Sequence, residues 1–123
     1  MCKQLFLKVM TIVFALAATP LVAHHGWNGN GETQLELTGI VDTPVSLSGP
    51  HGTMKILVDG QIWDITLAPP ARTRRAGLEP ETIPVGAEVT VSGHRNSDPA
   101  RFEIKTERVV HAGRTYNVYP DRD

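Results

Sequence analysis

Five histidines are the chain's densest source of chemistry: His24, His25, His51, His94 and His111. Imidazole is the commonest metal ligand among side chains and titrates near neutral pH. His24 and His25 are adjacent. If the chain is cut after Ala23, His24 gains a free α-amino group beside its ring, and those two nitrogens chelate one ion. A third nitrogen, from His25, His51 or His94, completes a planar or T-shaped set. Nitrogen-rich tetragonal sites favour Cu(II), which also heads the divalent affinity order. The expected metal set is therefore His24, His25, His51 and His94, and the expected ion is copper. Met54, close to His51 in sequence, adds a soft sulfur, although strand alternation assigns it to the core. The plain alternative is a solvated terminus carrying two histidines. Pro50-His51-Gly52 reads either as a ligand-bearing loop or as a turn whose ring bonds a carbonyl. His94 closes a strand, which suits a structural role, and His111 adjoins a turn.

The remaining candidates are binding groups. Trp27, Trp63, Tyr116 and Tyr119 combine an apolar body with a polar tip. Trp63 and Tyr116 are the expected ligand-stacking pair, against the commoner role of packing in a core. Arg72, Arg74 and Arg75 form a small basic patch, either a grip for an anion or a solvated face tempered by Glu79 and Glu81. No G-x-S-x-G, H-E-x-x-H or phosphate-loop pattern occurs, and the carboxylates show no catalytic pairing. A non-enzymatic role is expected.

The first 23 residues read as an address. Lys3 and Lys8 precede an apolar run from Val9 to Ala18 in which only Thr11 is polar. That run falls short of the roughly 20 residues of a membrane-spanning helix. A positive start, a short apolar stretch and small residues before a polar segment describe a secretory signal peptide over residues 1–23. Cleavage after Ala17 is the rival to cleavage after Ala23; Pro20 at the boundary of the apolar core favours the latter. Export to the periplasm or beyond follows, with no lasting membrane span. The lone cysteine, Cys2, leaves with the signal, so cysteine nucleophiles and disulfides are excluded from the mature chain. Removing Lys3 and Lys8 leaves ten basic against thirteen acidic residues, so the formal charge moves from -1 to -3. Nucleic acid is a poor partner for such a chain, because phosphate binding needs clustered Lys and Arg. The partners expected are a metal ion or small ligand, with an envelope protein or glycan as alternatives.

The elements that must position these groups are mostly strands. Residues 24–33, with Asn28-Gly29-Asn30-Gly31, read as a flexible segment, and residues 34–120 as one domain. Leu35, Leu37 and Val41 share one face of a strand. Met54, Ile56 and Val58 alternate with Thr53, Lys55 and Leu57, then Asp59-Gly60 separates them from Trp63, Ile65 and Leu67. Two alternating runs joined by Asp-Gly are a strong hairpin signal, because a type I′ turn needs positive φ at both central residues. Pro69-Pro70 ends the second strand. Residues 70–78 fit a short helix, with proline in its first turn and Gly77 at its end. Residues 88–93, 102–110 and 114–119 read as further strands, the second with a bulge or twist at its double valine. Three strands, a helix and two or three strands is the order of an OB-like barrel of five or six strands, whose helix lies between the third and fourth. An open sandwich is the alternative.

Taken together, the motifs resemble a family of short exported bacterial proteins of unknown function. The matching residues are His24-His25, Thr38-Gly39-Ile40-Val41, Pro50-His51, Arg74-Arg75-Ala76-Gly77, Gly93 and Gly113-Arg114-Thr115-Tyr116. Two positions depart from the pattern: Val85-Gly86 follows a proline shifted to Pro84, and Gly49 stands where the family has Asn before Pro-His. The resemblance implies export, cleavage before His24 and a small β-barrel, and it adds weight to His24, His25 and His51. It implies no activity.

Overall fold

In the computed structural model, which describes residues 29–122, the longest element is β1 (Asn30–Ser46), and it is long because it serves two neighbours. Its first part pairs antiparallel with β4 (Glu88–Asn96), from Asn30↔Asn96 to Ile40↔Glu88. Its second part pairs antiparallel with β2 (Thr53–Val58), with register shifts after Val41 and Thr43. Such shifts bend a strand and increase its twist. Gly39 sits where the two partners meet. A Cβ there would lie 2.5 Å from the Leu57 carbonyl oxygen, so only glycine permits the approach. The strand starts earlier than the sequence pattern suggests. Asn30 Nδ2 donates to the His94 carbonyl at 3.0 Å, and the Ser97 N–H donates to the Gly29 carbonyl at 2.7 Å. These bonds draw residues 30–33, read above as part of a flexible segment, into the sheet.

The Asp-Gly hairpin forms as its chemistry requires. Asp59 (φ 47°) and Gly60 (φ 79°) both occupy the left-handed region and join β2 to β3 (Gln61–Thr66). Trp63, Ile65 and Leu67 turn inward and are buried. The helix, α1 (Pro70–Arg75), is shorter than expected. It ends in a Schellman motif: the Gly77 N–H donates to the Arg74 carbonyl and the Leu78 N–H to the Thr73 carbonyl, with Gly77 at φ 101°. Leu78 is then driven into the core, and Thr73, the helix's one buried residue, donates to the Ala68 carbonyl at 2.7 Å.

β5 (Glu103–His111) pairs antiparallel with β4 and parallel with β3, through Asp64↔Glu103, Ile65↔Ile104 and Thr66↔Lys105. That parallel pair closes the five strands into a barrel, and β6 (Arg114–Asn117) adds to the far edge of β5 through a tight turn at Ala112-Gly113. The β4–β5 ladder slips between Ser92 and Gly93, so Glu107 is an extra residue on β5. Gly93 makes the slip possible, because any Cβ there would collide with the Lys105 carbonyl. The core is one cluster, with Val41, Met54, Ile56, Ile65, Val91, Ile104 and Val109 at its centre. The fold is an OB-like β-barrel with one short helix. No helix among the described residues is long and apolar enough to cross a membrane.

Candidate functional site

The histidines separate into different environments. His24 and His25 lie outside the described residues. His94, on β4, is fully engaged. Its Nδ1 is 2.7 Å from the Gly31 carbonyl, so it carries the proton and donates, and its Nε2 is 2.8 Å from Glu107 Oε1. Both ring nitrogens of His94 thus face oxygen atoms of the protein. His111 Nδ1 faces the Glu88 carbonyl at 3.2 Å. His51 differs: it is half-buried in the β1–β2 loop, and its ring makes no hydrogen bond among the described residues. Burial, then the nearby charge of Lys105, holds its pKa below the ordinary imidazole value, so the neutral ring is favoured. Met54 is in the core. Among the described residues no three His, Cys, Asp or Glu side chains gather to hold a metal.

The two expected stacking rings are also accounted for. Trp63 is only 7% exposed and Tyr116 only 4%. The Arg95 guanidinium lies 4.9 Å over the Trp63 ring, and Phe102 meets that ring edge-on at 5.4 Å. Arg114 lies 4.9 Å over Tyr116, and Gly77 packs against the same ring. A stacking platform needs an open face, and these faces are occupied. Both rings fill the fold, because the inward phase of β3 and the Gly77 helix end direct them there.

A buried polar centre escapes the sequence reading. Glu107 is 1% exposed. Gln34 Nε2 donates to its Oε2 at 2.8 Å, and Arg108 and Arg122 approach the carboxylate at 3.5 and 3.8 Å. Its backbone carbonyl accepts from the N–H groups of Val118 and Tyr119, which ties the C-terminal segment across β5. Lys105 is buried under that segment, 5.8 Å from the Tyr119 ring, while Arg72 lies 5.3 Å from the same ring. Desolvation lowers the Lys105 pKa and raises that of Tyr119. Simple alternation gives no sign of Glu107, since the bulge that buries it changes the phase of the strand.

The outer face of β2 and β3 carries a groove of about 220 Å³, roofless and lined by Thr43, Thr53, Lys55, Asp64, Thr66 and Glu103 above Met54 and Ile65. Lys55 and Asp64 pair across it. Glu103 accepts from Asn96 at 2.8 Å and from Thr66 at 3.3 Å. The groove thus presents hydroxyls and carboxylates, with one lysine against two acidic side chains and no aromatic ring. A second cavity, of about 260 Å³, opens between α1 and the segment after β6. The chain matches no protein-family model and no curated protein.

Proposed function

We propose that the chain is an exported OB-like module that binds a small polyhydroxylated ligand, such as an envelope glycan fragment, in the groove over β2 and β3. The observation that carries this reading is the groove's lining: threonine hydroxyls beside carboxylates that can accept from a sugar's hydroxyls. OB-folds use this strand face, with its flanking loops, for oligosaccharides as well as oligonucleotides. The paired Lys55 and Asp64 and the acidic Glu103 disfavour a polyanion, so the sugar is the better fit. The test is saturation-transfer NMR with the disaccharide of N-acetylglucosamine. Transfer to the sugar that is lost in Asp64→Asn and Thr53→Val supports the reading, and absence of transfer to the unmodified protein overturns it.

A second reading is copper binding at a mature N-terminal His24, assisted by His25 and His51. It is favoured by the neutral ring of His51, which has no hydrogen-bond partner among the described residues. Lys105 nearby opposes a second cation, so the N-terminal chelate must supply most of the affinity. Cu(II) titration of protein beginning at His24, followed by electron spin resonance, is the measurement. A spectrum that changes in His24→Ala, and an affinity lowered by one extra residue before His24, support the chelate. An unchanged spectrum in both His24→Ala and His51→Ala overturns it.

A further inference from the structure

The cavity between α1 and the C-terminal segment combines three kinds of wall. Arg72 and Arg75 lie three residues apart on the helix and therefore on neighbouring positions of one face. Arg72 is steadied by its contact with the Tyr119 ring, while Arg75 forms no ion pair or hydrogen bond among the described residues. The Asn117 amide and the Asp121 carboxylate line the same space, and Ala76 and Pro120 supply apolar surface beside the buried Val118. Two guanidinium groups and one carboxylate face a space of about 260 Å³, which suits a molecule of a few to about ten heavy atoms.

We propose that this cavity binds a zwitterion of amino-acid size. Its carboxylate meets the forked N–H donors of Arg72 and Arg75, a geometry that guanidinium matches in two parallel bonds. Its ammonium group meets Asp121, and Asn117 both donates and accepts between them. A side chain lies along Ala76 and Pro120. A bare anion leaves Asp121 facing like charge, and a bare cation leaves the arginines so. This site is separate from the groove over β2 and β3, and the two stand or fall independently.

The experiment is titration of the ¹⁵N-labelled protein with valine, isobutyrate and isobutylamine, following the amide signals of Ala76, Asn117 and Asp121. These probes share one apolar body and differ in their charged groups. The expected result is saturable shifts with valine, at least about tenfold tighter than with either singly charged analogue. Arg75→Gln, an exposed substitution, should remove the valine response while leaving amides elsewhere in place. Asp121→Asn should reduce valine to the level of isobutyrate. The absence of saturable shifts with valine, equal affinity for isobutyrate, or a valine response unchanged in Arg75→Gln would each overturn the proposal.

Discussion

Glu107 shows how much a single residue can govern here. A buried carboxylate is tolerable only with partners, and His94, Gln34, Arg108 and Arg122 supply them. Glu107→Ala leaves those groups facing an apolar void, and a loss of about 3–5 kcal/mol in urea unfolding is expected. Glu107→Gln keeps an acceptor for Gln34 and should cost less. Gly93→Ala places a methyl group against the Lys105 backbone, and a loss of about 3 kcal/mol, or failure to fold, is expected. His51 makes a separate statement about pH. Its pKa is lowered in the folded state, so the unfolded chain takes up the proton first as pH falls below about 6.5. The stability attached to its neutral form is present above that value and lost progressively below it. His51→Gln should therefore shrink the fall in melting temperature between pH 7.5 and pH 5.5.

At the scale of elements, the sequence is legible where chemistry is local. Asp59-Gly60 declares its turn, because few other pairs accept two left-handed residues in succession. Gly77 likewise marks the end of α1. Replacing it with alanine keeps the helix but forces a φ near 101°, at an expected cost of about 1–3 kcal/mol in thermal unfolding. The strand order of the barrel follows from such punctuation together with alternation. What stays hidden depends on distant partners. The early start of β1 rests on bonds from Asn30 and Gly29 to residues more than sixty positions away. Glu107 is buried by a slip against Gly93, and Trp63 is covered by Arg95 from another strand. The groove is assembled from four strands, so the shared role of Thr43, Thr53, Thr66 and Glu103 cannot be read from their spacing.

For the molecule as a whole, one core serves every strand, and the barrel has no second unit to unfold separately. Ile104 sits in the closing parallel pair at 0% exposure. Ile104→Ala should cost about 2–5 kcal/mol. Far-ultraviolet dichroism and tryptophan fluorescence should still report one coincident transition, since loss of closure disrupts both faces together.

The two-sided pairing of β1 also constrains the order in which a chain emerging from its N-terminus can finish folding. By Thr66 it can complete only the three-stranded meander β1–β2–β3. The outer edge of β1 then waits for β4, and the outer edge of β3 waits for β5, whose first residue is Glu103. Until that stretch appears, two open strand edges face other chains, and an aggregation-prone interval lasts from the third strand to the fifth. The nascent barrel therefore has most need of a protecting chaperone over that interval, and the need ends when β5 docks on β3.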